Sequence, residues 1–206
     1  MDTSKKNHVS KYWAVNNFPQ VIMATAIYGF AASFILVLDK IHILSDPTYN
    51  PACNISPLIS CGSVMTTAQA DIFGFPNSLI GVVGFTMLGT IAFALMAGGK
   101  FKRWFWLTLQ GGMVFGVLFI HWLIFQSIFT IETLCPYCVL AWMAIIPAFW
   151  YVTLNNFASG IISLPKKYSI GIDFALRHHF DILLFWLLAI VSIIMWKFWY
   201  YWSTLV

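Results

Sequence analysis

The sequence predicts an all-α membrane protein, and three observations support this prediction. Of its 206 residues, 60% are hydrophobic and only 9% are charged, and the mean hydropathy is +0.81. Soluble domains contain roughly 25% charged residues, so this chain is far more apolar than they are. It also contains five apolar runs of roughly 20 residues, the length that a helix needs to cross the hydrocarbon core. Its basic residues gather beside these runs.

The five runs leave little of the chain for a separate soluble domain. We therefore predict a single integral membrane domain over residues 1–206. The predicted spans are residues 18–38, 78–97, 104–128, 134–154 and 182–202. Residues 39–77 form the one sizeable loop between them.

The distribution of charge predicts the orientation of the chain in the membrane. The formal net charge of +4 gives no sign of nucleic-acid binding, because the basic residues lie in small clusters beside the spans. Nine of the 11 fall on one side: Lys5, Lys6, Lys11, Lys100, Lys102, Arg103, Lys166, Lys167 and Arg177. The other side receives Lys40 and four acids, Asp39, Asp46, Asp71 and Glu132. Because cytoplasmic segments are rich in Lys and Arg, we predict a cytoplasmic N-terminus, with the C-terminus and the loop outside.

A Cys-Pro-Tyr-Cys motif, Cys135 to Cys138, opens the fourth predicted span. Pro136 is well suited to the first helical position, and Cys135 then occupies the N-cap. The positive end of the helix dipole stabilises a thiolate there, and low-pKa cysteines exchange disulfides readily. A zinc half-site or two buried cysteines are the alternatives. Zinc requires four Cys or His ligands, and the sequence offers no second C-x2-C motif or nearby His pair, so we predict a redox site and no metal.

The second cysteine pair, Cys53 and Cys61, lies in the loop. With the orientation predicted from the basic residues, the number of spans before each cysteine places all four on the outer, oxidising face. This placement does not depend on the cysteines themselves. The pattern of residues 60–70 predicts a half-helix that is too short to span the membrane, with Ser60 as its N-cap. This half-helix would bring Cys61 close to Cys135. The alternative is a solvated loop closed by an inert disulfide.

Two further residues are candidates for contact with a ligand. Asn77 stands at the lip of the second span, where burial of its amide demands a hydrogen-bond partner. It either caps that helix or holds a carbonyl oxygen of a ligand. Trp142 lies one turn after Cys138 on the same helix face, where it either walls an apolar pocket beside the thiol or belongs to the ordinary core.

Taken in order, four motifs resemble the vitamin K epoxide reductase family in its bacterial branch. They are C-x7-C in the loop, C-G-S-V-M-T-T, F-G-F-P-N-S-L-I-G and C-P-Y-C, and the resemblance covers about residues 19–148. It implies a four-helix transmembrane bundle around a quinone, menaquinone or ubiquinone. A fifth transmembrane helix and a short extracytoplasmic half-helix complete the expected fold.

The resemblance also implies a role for each cysteine. Cys53 would meet an external thiol partner, Cys61 would attack Cys135, and Cys138 would face the quinone.

For the quinone itself, the resemblance implies that Asn77 bonds a quinone oxygen and that Thr67 lies near the cofactor. With Trp142 and Met65, these residues form the predicted quinone site.

The function implied by this resemblance is that of a thiol oxidase in the bacterial inner membrane. It would reoxidise an extracytoplasmic, DsbA-like thioredoxin-fold protein and pass the electrons to membrane quinone, supporting disulfide bond formation. Many bacterial relatives carry a fused thioredoxin-like domain. Because this chain ends at Val206, the partner is expected to be a separate protein. Two alternatives stay open: reduction of quinone or vitamin K epoxide for cofactor recycling, and a non-catalytic membrane protein with structural disulfides.

Overall fold

The computed structural model describes residues 13–46, 48–162 and 165–203, and these segments are almost entirely helical. In chain order the helices are α1 (Trp13–Asn16), α2 (Phe18–Ser45), α3 (Cys61–Met65), α4 (Asn77–Met96), α5 (Arg103–Gln126), α6 (Pro136–Ala158), α7 (Ser169–Arg177), α8 (His179–Lys197) and α9 (Trp199–Ser203). Short 3₁₀ turns occur at Ala68–Asp71 and Lys166–Tyr168. The basic residues Lys5, Lys6 and Lys11, used above to predict orientation, lie outside the described residues.

Five of the described helices are long and apolar enough to cross a membrane: α2, α4, α5 with its extension to Ile131, α6 and α8. They overlap the five predicted runs, although their ends differ by several residues, and they confirm the all-α, multi-pass membrane fold. Helix α2 continues to Ser45, past the predicted end of its span at residue 38. It does so because Asp39 and Lys40, whose charges suggested an end, are buried with polar partners inside the protein.

The chain divides into two compact units. Asn17–Thr153 forms one unit, which holds α2 to α5 and most of α6. The described parts of Met1–Asn16 and Leu154–Val206 form the other, which holds α1, the end of α6 and α7 to α9. All the predicted site residues belong to the first unit. The single integral domain over 1–206 stays a prediction.

Within the first unit, α2 and α4 approach closely at two glycines. A Cβ atom on Gly81 would overlap the Ser33 hydroxyl oxygen, and one on Gly29 would overlap the Phe85 ring. Only glycine permits this spacing, as is common between membrane helices. Gly84 differs, since nothing lies within 4 Å of the position its Cβ would occupy. It borders the cavity described below.

Candidate active site

The C-P-Y-C motif starts α6 as its sequence predicts. The helix begins at Pro136, and the backbone N–H of Cys138 donates to Cys135 Sγ at 3.3 Å. Cys135 therefore caps the helix with its sulfur, the role that Ser or Asp oxygen plays at most N-caps. Cys135 and Cys138 are both free thiols in this structure.

A tight turn before α6 fixes the position of Cys135. Helix α5 widens into a π turn at Ser127–Ile131, and Glu132 then adopts a left-handed conformation with φ 56°. The buried Ser127 hydroxyl donates to the Thr133 carbonyl oxygen at 2.6 Å. The Thr133 N–H donates in return to the Ser127 carbonyl oxygen at 3.2 Å. These bonds tie the segment that leads into Cys135 to the end of α5.

The loop cysteines, Cys53 and Cys61, form a disulfide with a Cα–Cα distance of 5.7 Å. Cys61 is the first residue of α3, and the predicted N-cap is confirmed, because Ser60 Oγ accepts from the Ser63 N–H at 3.1 Å. The half-helix expected over 60–70 is shorter than predicted. It ends at Met65, and a 3₁₀ turn follows at Ala68–Asp71.

A short parallel bridge joins the two cysteine-bearing segments. The Ser60 N–H donates to the Leu134 carbonyl oxygen at 3.0 Å, and the Leu134 N–H donates to the Leu58 carbonyl oxygen at 2.8 Å. The residues that follow Ser60 and Leu134 in the two segments are Cys61 and Cys135. The bridge pairs Ile59 with Leu134, so it brings the segments that carry these two cysteines together without placing the cysteines directly opposite each other.

All four cysteines lie in one packed cluster. Its buried members are Leu36, Cys53, Cys61, Met65 and Cys135, and the partly buried side chains packed against them include Cys138 and Tyr137. One pair is oxidised and the other reduced. The chain thus brings a disulfide and a dithiol into contact, which is the arrangement that disulfide exchange requires.

The surroundings of Cys135 favour its thiolate. Hydrogen bonds from the Cys138 thiol and from the backbone N–H groups of Cys138 and Tyr137 hold the pKa of the Cys135 thiol below its usual value. Burial and the charge of Asp39 act in the opposite direction but are outweighed. Because the thiolate is the reactive form, Cys135 is prepared for exchange with a neighbouring sulfur.

Beside the cluster lies a cavity of about 770 Å³. Its wall is mostly apolar and is formed by residues of α2, α4, α5 and α6 and of the loop. Cys138, Trp142, Asn77 and Met65 all line it. Cofactor pockets generally occupy about 300–1,000 Å³ with few polar groups, so an apolar ring system fits both its size and its lining.

The side chain of Asn77 shows whether the cavity also offers a hydrogen-bonding group to such a ligand. Its Nδ2 donates to the Gln69 carbonyl oxygen at 2.7 Å. Its Oδ1 is buried and has no hydrogen-bond partner among the described residues. An amide nitrogen carries two N–H donors, so Asn77 can still donate to a carbonyl oxygen or accept from a hydroxyl group. This side chain can therefore hydrogen-bond to both forms of a quinone headgroup, the dione and the diol.

An ion pair between a buried lysine and a partly exposed aspartate also lines the cavity, and it was not singled out from the sequence. Lys40 Nζ lies 2.8 Å from Asp71 Oδ2 and donates to the Met65 carbonyl oxygen at 2.6 Å. The Lys40 side chain is only 9% exposed. Asp71 Oδ1 is buried without a partner in the described part of the chain. In the sequence both residues served only as charges at the membrane boundary, since nothing in their spacing indicates that they meet.

The structure does not bring Thr67 to the cavity. The Thr67 hydroxyl donates to the Val64 carbonyl oxygen at 2.8 Å within its own turn, and the side chain is not part of the cavity wall. Cys53, expected to meet an external partner, is 5% exposed, whereas Cys61 is fully buried. Cys53 is thus the more accessible of the two, although an attacking thiol must displace part of the loop to reach it.

The arrangement of two cysteine pairs beside an apolar cavity agrees with a comparison of the whole sequence with known families. A model of the vitamin K epoxide reductase family matches residues 20–153. The chain belongs to this family. The match covers α2 to α5 and most of α6, which are the helices that carry the cysteine cluster and the cavity. Vitamin K epoxide reductase family members are membrane oxidoreductases that link disulfide chemistry to quinones and act with thioredoxin-like partners.

Proposed function

We propose that the protein oxidises an extracytoplasmic, DsbA-like thioredoxin-fold protein and passes the electrons to membrane quinone. The observation that carries this proposal is the packing of Cys61 and Cys135 in one buried cluster, whose two segments are joined by the backbone bridge between residues 58–60 and Leu134. It supports direct transfer between the two cysteine pairs. The presence of Cys138 in the cavity wall supports onward transfer to a ligand held there.

The sulfur chemistry proceeds in balanced exchanges. A partner thiolate attacks Cys53, the Cys53–Cys61 bond breaks, and Cys61 leaves with the electron pair. The second partner thiol then displaces Cys53 and closes the partner's disulfide. Cys61 attacks Cys135 when Cys135 and Cys138 are joined, and Cys138 leaves as the reduced sulfur. Attack of Cys53 on Cys61 then restores the loop disulfide and leaves Cys135 and Cys138 as a dithiol.

A quinone bound in the cavity would be the final acceptor of two electrons and two protons. Within the chain, Cys138 would present the sulfur nearest to it, Asn77 would bind one of its oxygens, and Trp142 and Met65 would exclude water. Lys40 and Asp71 would provide the charged groups on the wall of this mostly apolar cavity.

A reconstituted assay tests the function. Wild-type protein in lipid nanodiscs containing menaquinone or ubiquinone should oxidise a reduced DsbA-like protein catalytically, measured from the partner's free thiols over time. The Cys61→Ala variant should not. Failure of the wild-type protein with both quinones, while a dithiol supports reduction of vitamin K epoxide, would favour the cofactor-recycling alternative.

The proposed orientation places the cysteines outside the cell membrane and the basic connections inside. The native cysteines are poor reporters, because Cys61 and Cys135 are fully buried. In a variant whose four cysteines are replaced by alanine, Ile55→Cys in the exposed loop should react with a membrane-impermeant maleimide in intact cells. Ile55 is 71% exposed, so access is not limiting.

The matched control is Lys100→Cys, an exposed position between α4 and α5. It should react only after the cells are permeabilised. The reverse pattern of labelling would contradict the proposed orientation.

A further inference from the structure

A buried carboxylate lies next to one sulfur of the loop disulfide. Asp39, near the C-terminal end of α2, is 8% exposed. Its Oδ2 lies 3.9 Å from Cys53 Sγ, and its Oδ1 accepts a hydrogen bond from the Tyr49 hydroxyl at 2.9 Å. Burial of a charged group is unfavourable without compensation. Among the described residues, the Tyr49 hydroxyl donates to this carboxylate and holds it beside a reactive sulfur.

The other titratable groups around Asp39 do not neutralise it. Lys40, its neighbour in sequence, forms its ion pair with Asp71 instead. The remaining titratable groups near Asp39 are Tyr49, whose pKa is raised chiefly by its hydrogen bond to Asp39, the His42 ring packed on Tyr49, Tyr137 and Cys135. None of these provides a cation bonded to the carboxylate in the described part of the chain.

We propose that Asp39 determines which sulfur of the Cys53–Cys61 disulfide is attacked, by disfavouring negative charge on Cys53 so that Cys61 is the sulfur that leaves. This inference rests on the proposed thiol oxidation and deepens it. In this proposal a residue of this chain, and not of the partner, determines which sulfur the partner thiolate attacks.

The reason follows from the exchange reaction. The attacked sulfur keeps a covalent bond to the incoming thiol, and the other sulfur departs as a thiolate. Attack at Cys61 would release a thiolate on Cys53, about 4 Å from a carboxylate, and like charges repel strongly in a buried site. Attack at Cys53 instead releases Cys61, which packs in the same buried cluster as Cys135.

Asp39 also affects the protonation state in which Cys53 is later released. The partner's second thiol gives up its proton as it attacks. Cys53 then departs as a thiol whose S–H is donated to Asp39 Oδ2. The same carboxylate therefore disfavours the charged form of Cys53 and accepts a hydrogen bond from its neutral form.

The test uses a variant that retains only the loop disulfide, Cys135→Ala/Cys138→Ala, without quinone or partner protein. The purified variant is treated with reduced glutathione and quenched with acid, and the position of the mixed disulfide is found by peptide mapping. We expect glutathione mainly on Cys53. Adding Asp39→Asn, which keeps the shape and removes the charge, should shift the Cys53-to-Cys61 ratio toward Cys61 by about tenfold, the effect of one pKa unit.

Asp46→Asn is the matched control, because Asp46 is an exposed acid just beyond α2 that bonds Thr48. It should leave the ratio unchanged. Accessibility alone also favours Cys53, so the decisive quantity is the change caused by Asp39→Asn and not the ratio itself.

A second readout separates charge from structure. In the fully reduced variant, the rate of iodoacetamide reaction at Cys53 should reach half its maximum at a lower pH when Asp39 is replaced by Asn. A merely structural role would change the rate without moving this midpoint. If Asp39→Asn does not fold, Asp39→Ser, a smaller uncharged replacement, should shift both readouts in the same direction. Unchanged ratio and midpoint would overturn the proposal.

These measurements remain valid if the proposed function is wrong. They use glutathione as the only thiol. Failure of the proposed function would instead appear as wild-type protein that does not oxidise a DsbA-like protein in the presence of quinone.

Discussion

In a Cys138→Ala variant, we expect a disulfide between Cys61 and Cys135 and the loss of all quinone-linked turnover. Cys135 then lacks the partner with which it would close its own disulfide. Its thiolate can attack only a neighbouring sulfur, and Cys61 packs in the same buried cluster. The bond to Cys61 forms, the Cys53–Cys61 bond breaks, and Cys53 takes up a proton from solvent as it is released, so that it leaves as a neutral thiol beside Asp39. Turnover ends because the sulfur that lines the cavity is gone.

Non-reducing peptide mapping of the purified variant checks this expectation. The Cys61→Ala/Cys138→Ala double variant is the control and should show no bond to Cys135 from residue 61. Finding Cys53 joined to Cys135 in the single variant would reverse the roles assigned to the loop cysteines. An intact Cys53–Cys61 disulfide beside a free Cys135 would contradict direct exchange between the pairs.

Asn77→Ala should reduce quinone-linked turnover by about tenfold or more while leaving the stability of the quinone-free protein nearly unchanged. Each hydrogen bond nets about 0.5–1.5 kcal/mol, and bonds to an oxygen that gains charge are stronger, which gives the expected loss of turnover.

The effect on folding is smaller because two contributions oppose each other. The variant loses the bond from Nδ2 to the Gln69 carbonyl oxygen, but it also removes Oδ1, which is buried without a partner among the described residues. An unsatisfied buried acceptor costs about 1–3 kcal/mol, so its removal offsets the lost bond.

Three measurements on one purified sample separate the roles of Asn77: turnover, the melting temperature without quinone, and the rise in melting temperature on adding quinone. The added stability reports binding directly, because at a fixed ligand concentration it increases with the logarithm of the affinity. Ser78→Ala is the matched control, since Ser78 is the next residue and also lines the cavity. Normal turnover with a lowered melting temperature would show that Asn77 only holds the loop to α4.

The sequence predicts the parts of this protein that depend on local pattern. Five apolar runs give five helices because length and hydropathy alone decide whether a segment can span. The start of α6 at Pro136 and the Ser60 cap follow from local chemistry in the same way. The order of motifs predicts the family, which the match over residues 20–153 confirms.

What the sequence does not predict depends on contacts between distant residues. Asp39 and Lys40 look like the end of a span, yet α2 continues past them because Tyr49 and Asp71 lie in reach. Residues 60–70 look like one half-helix, but the Thr66 hydroxyl bonds back to Gly62, and α3 ends before it. Side-chain hydroxyls that compete for backbone groups commonly end a helix in this way.

The bridge between the loop and α6 is made entirely of main-chain atoms. Its two hydrogen bonds need the N–H groups of residues 60 and 134 and do not depend on which side chains those residues carry, so among simple substitutions proline alone removes a donor outright. Exposed loop positions such as Ile55 can therefore change without moving Cys61 away from Cys135. If the proposed function holds, choice of the protein partner and transfer between the cysteine pairs are encoded separately, and the loop surface can evolve toward a new thiol protein while the contact between the pairs is retained.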